Sequence, residues 1–240
     1  MPWLHRIFDR INLFLKSIIH LLYPDICLHC HRELTIKTPF LCYACLSKVE
    51  FVKWRKQEVH HLLEQAMTEA KVAESCVLFS FERNSPVQTI LHEIKYKFNR
   101  SAAIYFGAML GRQYSGLHTK ADFEVLLPVP VHHYKKYDRG YNQSELIAMG
   151  IKSATGTPVD RQILKKTKNT KSQTKLSKAA RKENTKGTFS VSDQIKNYKA
   201  VAIVDDVITT GATLNSICEA LIEKNKNVQI TIFSLAIANT

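Results

Sequence analysis

The chain predicts an α/β fold, a mainly parallel sheet with helices on both faces, preceded by a small cysteine-rich module. Three observations carry this. Apolar runs at 75–81, 124–131, 201–204 and 228–238 alternate with segments of helical periodicity, the order that builds parallel sheets. The stretch 201–213, V-A-I-V-D-D-V-I-T-T-G-A-T, reads as a strand buried on both faces, a polar loop and a helix start. Four of the six cysteines fall in two C-x-x-C pairs near the N-terminus.

A length of 240 residues holds one good-sized core plus an appendage. The net charge of +13, from 34 basic and 21 acidic residues, fits anionic partners such as nucleic acid, nucleotides or an acidic protein, and it also fits simple solubility. The cysteine spacing does not suggest disulfides, so a reducing cytosol is expected.

Residues 1–22 read as an amphipathic helix, with Leu4, Ile7, Phe8, Ile11, Leu15, Ile18, Ile19 and Leu22 largely on one face. Asp9, Arg10 and Lys16 break any continuous apolar run, which excludes a spanning helix of ~20 apolar residues and stable membrane insertion. The helix either docks on a membrane surface or partner, or packs on its own domain.

Residues 23–50 form the cysteine module. Cys27 and Cys30, then eleven residues, then Cys42 and Cys45, can supply two knuckles to one ion. A structural zinc site of four cysteines with no open position is expected, with His29 and His31 near enough to compete as ligands. Residues 51–73 form a connector, helical from 58 to 72, and 74–240 form the main domain.

The first core strand, 75–81, is followed by Asn84-Ser85-Pro86, a turn and helix start. Lys95-Tyr96-Lys97-Phe98-Asn99-Arg100 is basic and aromatic together. It contacts phosphates or stacks a base, or it is a helix end with cations near its C-terminus. A helix spans 102–114, and the strand 124–131 ends where its prolines force the chain out of the sheet. The loop that follows, with Lys135, Lys136 and Arg139, suits pyrophosphate, or its lysines are simply solvated. A helix with apolar Leu146, Ile147 and Ile151 comes next. Residues 165–187 are the most basic part of the chain and poor in apolar side chains, which suggests a mobile arm. Lys171, Lys175, Lys178 and Arg181 lie on it. The arm closes over a site as a lid or tracks a nucleic acid backbone.

The chemistry concentrates at 205–213. A helix N-terminus carries about half a positive charge and unsatisfied N–H groups, so it attracts phosphate. Gly211 lets the backbone approach an anion, and Thr209, Thr210 and Thr213 add donors. Asp205 and Asp206 would repel a phosphate, so they suit ribose hydroxyls or Mg²⁺. Together these features describe a ribose 5-phosphate with Mg²⁺ nearby.

This stretch resembles the 5-phosphoribosyl-1-pyrophosphate (PRPP) signature of type I phosphoribosyltransferases. That resemblance implies the fold of the same name. It makes Asp205 and Asp206 the catalytic pair that holds the ribose hydroxyls, with Thr209, Thr210, Gly211, Ala212 and Thr213 around the 5-phosphate. From Tyr23 onward, Y-P-x-x-C-x-x-C with its second C-x-x-C, the R-G-Y-N-Q of 139–143, and Gln173, Leu176, Arg181, Asn184, Gly187 and Phe189 resemble the ComF competence family, in particular its ComFC branch. Phe98 departs from the family, which often has glycine there. The resemblance implies a cytoplasmic role in natural transformation, with incoming single-stranded DNA and other competence proteins as partners. Phosphoribosyl transfer to an acceptor, a true nucleobase or nucleotide salvage enzyme, and a PRPP-responsive regulator are the alternatives.

Overall fold

The computed structural model describes residues 24–34, 39–52, 72–117, 122–131, 140–167 and 188–238. The expected amphipathic helix of 1–22, the helical stretch 58–71 of the connector, the lysines and arginine of 132–139 and the arm residues 168–187 lie outside the described residues. The chain divides into two compact units, Met1–Val49 and Glu50–Thr240.

In the first unit the Cys27–Cys30 knuckle is closed by the His31 N–H donating to the Cys27 carbonyl at 3.0 Å and by the Cys27 N–H donating to Arg32 at 2.7 Å. His31 takes a left-handed backbone, φ 59°, to complete the turn. In the second pair Cys42 is the N-cap of the short helix α1 (Tyr43–Leu46) and Cys45 lies within it, and the Leu28 N–H donates to the Phe40 carbonyl, tying the two knuckles together.

The second unit carries a four-stranded sheet. In chain order its strands are β1 (Val72–Phe81), β2 (Val125–Pro128), β5 (Ala200–Ile208) and β6 (Gln229–Ala238). Their spatial order is β1-β6-β5-β2, and every pairing is parallel. The expected parallel sheet is therefore present. β1 begins at Val72 rather than at 75, so Val72 belongs to the sheet and not to a preceding helix. β2 is short because Pro128, which has no N–H to donate, is its last residue.

Among the described residues, four helices connect these strands. Helix α2 (Pro86–Tyr96) starts where Ser85 accepts from the Gln88 N–H with Pro86 in the first turn, and α3 (Arg100–Ser115) starts where Asn99 accepts from Ala102. Helix α4 (Gln143–Thr155) is capped by Asn142, and α5 (Ala212–Lys224) follows β5. Successive residues of β6 show that helices cover both faces. Ile232 joins the cluster containing Leu214, Ile217, Cys218 and Leu221 of α5, whereas the Phe233 ring lies 5.2 Å from Tyr114 of α3. Helices α3 and α4 meet backbone to backbone. A Cβ on Gly107 would lie 2.3 Å from the Ile147 carbonyl oxygen, and one on Gly150 would lie 2.2 Å from that of Ile104.

The sequence did not suggest the small antiparallel pair β3 (Leu164–Lys166) and β4 (Phe189–Val191), with Leu164 opposite Val191. Lys165 and Lys166 therefore belong to a strand, not to the basic arm that was expected to begin there. Thr167 donates its N–H at 2.8 Å and its hydroxyl at 3.0 Å to the Thr188 carbonyl, which clips the two ends of the intervening segment together.

Candidate functional site

The site is built on β5, which lies between β6 and β2. Val201, Ala202, Ile203 and Val204 are wholly buried, as expected of a central strand. The two carboxylates do not follow the strand but belong to it. Asp205 pairs with Ser234, and the ladder runs on through Ile208 opposite Ile237. The sequence suggested a strand ending at 204 because carboxylates are rare in strand interiors. Pairing with β6 overrides that preference.

Each carboxylate has its own neighbour. The Ser144 hydroxyl, in the first turn of α4, donates to Asp205 Oδ1 at 3.3 Å, and the Asp206 N–H donates to the same oxygen at 2.8 Å. Asp206 accepts from Lys95, in the last turn of α2, with Nζ 3.1 Å from Oδ1; the two side chains are 13% and 20% exposed respectively. Burial, then the adjacent Asp206 carboxylate, push Asp205 up to about 7, while the Asp206 N–H, the Lys95 ammonium and the Ser144 hydroxyl pull the other way.

Beyond Ile208 the chain turns through Thr209 and Thr210, both exposed, to Gly211. Gly211 is left-handed, φ 69°, and is the N-cap of α5, with no side chain accepting from the first turn. The Asn215 N–H takes the Gly211 carbonyl at 2.8 Å. The N–H groups of Ala212, Thr213 and Leu214 precede the first helical bond and have no intrahelical acceptor. Asp205 and 207–214 line one small cleft. Thus Asp205, Asp206, Thr209, Thr210, Gly211, Ala212 and Thr213 lie together at one strand end. Lys135, Lys136 and Arg139, and Lys171, Lys175, Lys178 and Arg181, are outside the described residues.

Two elements beside the site were only partly legible. The R-G-Y-N-Q segment ends as an anchor: the Tyr141 hydroxyl donates to the Ile94 carbonyl, and the Asn142 side chain donates to Val129 at 3.0 Å, at the end of β2. Gln143 is 1% exposed, and neither its amide nitrogen nor its oxygen has a partner among the described residues. Ser144 carried no motif of its own; its place one residue past R-G-Y-N-Q, at a helix start, was the available signal.

In the first unit the sulfurs of Cys27, Cys30, Cys42 and Cys45 all lie within 4.8 Å of one another, with Cys30 and Cys42 3.5 Å apart. Tetrahedral coordination with Zn–S near 2.3 Å puts sulfurs about 3.8 Å apart, so the cluster can hold a metal ion. Burial opposes a thiolate at Cys27, but the N–H groups of Cys30, Cys42 and His29 outweigh it and lower Cys27 to about 6. Burial, with the neighbouring sulfurs, raises Cys45.

No protein-family model matches the chain. Its curated relatives include competence protein F of Haemophilus influenzae, 29% identical over 88% of this chain and 96% of the relative. Competence protein ComFC of Bacillus subtilis is 24% identical over 90% of this chain and 87% of its own length. The DNA utilization protein YhgH of Salmonella typhimurium is 28% identical over 57% of this chain and 61% of its own. Among solved structures, glutamine phosphoribosylpyrophosphate amidotransferase of B. subtilis matches 59% of this chain and 30% of that one, at 22% identity and a TM-score of 0.40. The all-parallel sheet, with two carboxylates at the end of an inner strand, has the architecture the sequence led us to expect. The chain is similar to competence protein F and competence protein ComFC over most of its length. Among the described residues, no helix is long and apolar enough to cross a membrane.

Proposed function

We propose that the protein binds PRPP with Mg²⁺ at the β5–α5 junction and handles incoming single-stranded DNA in the cytoplasm during natural transformation. One observation carries the PRPP half: two carboxylates stand next to a helix N-terminus that no side chain caps. The N–H groups behind Gly211 receive the 5-phosphate, and the exposed threonine hydroxyls add donors. Asp205 and Asp206 accept the ribose hydroxyls. Their hard oxygens also suit Mg²⁺, which neutralises the pyrophosphate when bound. The DNA half is supported by the relatives named for competence and for DNA utilization. The four cysteines hold a structural zinc ion, since four thiolates leave no position open for chemistry.

Calorimetric titration of PRPP, with and without Mg²⁺ and an oligonucleotide, tests this directly. Saturable, Mg²⁺-dependent heat that disappears in Asp205→Asn/Asp206→Asn is the expected result. A wild-type protein that gives no heat with PRPP overturns the reading.

Phosphoribosyl transfer is a second reading, favoured by Asp205 lying near neutrality, where a carboxyl exchanges protons readily with a bound hydroxyl or nucleophile. PRPP-dependent pyrophosphate release against a panel of nucleobases tests it. Binding without release for any base counts against it.

A further inference from the structure

The turn between α2 and α3 carries more apolar surface than the fold explains. Tyr96 and Phe98 are each 57% exposed and stand two residues apart, with Lys97 between them exposed and Arg100 exposed just beyond. Phe98 holds a left-handed backbone, φ 57°. That conformation costs energy for any residue with a side chain and is rare for bulky ones. A glycine would form the same turn without the cost, and the core gains little from a ring that is more than half exposed.

The turn is also rigid. The N–H groups of Lys97 and Asn99 both donate to the Glu93 carbonyl, at 3.1 and 3.4 Å, and the Asn99 side chain caps α3. The Tyr141 ring braces it from below, 6.4 Å from Phe98 and 5.3 Å from the Arg100 guanidinium, with its hydroxyl on Ile94. Lys95, in the same turn, is the residue that grips Asp206. Exposed rings interleaved with cations on a braced backbone are what single-stranded nucleic acid binds: bases stack on the rings and phosphates meet the charges.

We infer that Tyr96 and Phe98 form a stacking platform for single-stranded DNA beside the acidic dyad, with Lys97 and Arg100 on its phosphates. This rests on the DNA-handling reading above and places the strand next to the PRPP site. It makes the α2–α3 turn, rather than the basic arm alone, the surface that holds bases.

The test uses the full chain and fluorescence anisotropy at fixed salt, with a labelled oligothymidylate and an abasic oligomer of equal length. The wild type should favour the oligomer that has bases. Tyr96→Ala and Phe98→Gly should each weaken its binding by about tenfold and leave abasic binding unchanged. Phe98→Gly keeps the turn, because glycine accepts its backbone, so this variant should melt no lower than the wild type and should titrate normally with PRPP. If both variants bind oligothymidylate as the wild type does, or if the wild type does not distinguish the two oligomers, the platform is wrong while DNA handling stands. If the wild type binds neither oligomer, the DNA-handling reading fails and the platform fails with it.

Discussion

The cysteine cluster and the aspartate dyad are both groups of like-charged side chains, and they solve the problem of mutual repulsion in opposite ways. At the cysteines, N–H groups point at the Cys27 sulfur and bring it down to about 6, so this one thiol favours thiolate at neutral pH, while burial and the neighbouring sulfurs raise Cys45. At the dyad, burial and the neighbouring carboxylate bring Asp205 up to about 7, and one ammonium, from Lys95, partly offsets the charge. The first arrangement favours a permanently held soft cation. The second holds its charge in reserve, which suits a site whose occupant comes and goes.

The largest expected effect separates the two regions. Structural zinc contributes about 10–16 kcal/mol of folding free energy in zinc-finger peptides. Cys45→Ser should therefore abolish zinc retention, read by elemental analysis, and strip amide-exchange protection from 24–49. PRPP binding should survive, because the dyad belongs to the other unit. Loss of PRPP binding together with zinc would break the comparison.

Next comes the dyad. Asp206→Asn removes a charged acceptor, and PRPP affinity should fall roughly 10- to 150-fold by calorimetry. Asp205→Asn should also change the pH profile of stability in the ligand-free protein. The folded state raises Asp205 to about 7, above its unfolded value near 3.9, so between those values the native state holds a proton that the unfolded state does not. Wild-type stability from this group is thus present at low pH and lost as pH rises toward 7. The melting-temperature advantage of Asp205→Asn over the wild type should grow across that window and level off above it. A constant difference would remove the proposed contrast with Cys27.

Two smaller effects sharpen it. Gly150→Ala drives a Cβ to 2.2 Å from the Ile104 carbonyl oxygen and 2.6 Å from the Ala108 nitrogen, so α4 must shift. The cost should be about 2–3 kcal/mol in urea unfolding, with zinc content unchanged. Ser144→Ala deletes one donor to Asp205, so the Asp205 titration should move further up while PRPP affinity changes by no more than about threefold.

How much of this was legible in the sequence follows from the range of each interaction. The C-x-x-C pairs and the β5–α5 loop were readable because every group that makes them lies within a few residues of the next. The Lys95–Asp206 and Ser144–Asp205 contacts were not, since each joins residues more than 60 positions apart that only the sheet order brings together. The β3–β4 pair is hidden for a different reason. Three residues on each side are too few to show a period, and their partners are separated by the most basic stretch of the chain. Phe98 stands out in the sequence as part of a basic and aromatic run and as a departure from the glycine that the ComF family often has there. Its left-handed backbone supplies the physical reason a glycine suits that position.

The clip between Thr167 and Thr188 has a practical use. Because the two ends already meet, the entropy of closing whatever runs between them grows only slowly with its length, by about 0.6 kcal/mol per doubling. That makes the position a natural port for engineering. A fluorescent domain or affinity tag spliced in there should leave the sheet undisturbed and give a reporter rooted in the same unit as the strand that carries Asp205 and Asp206.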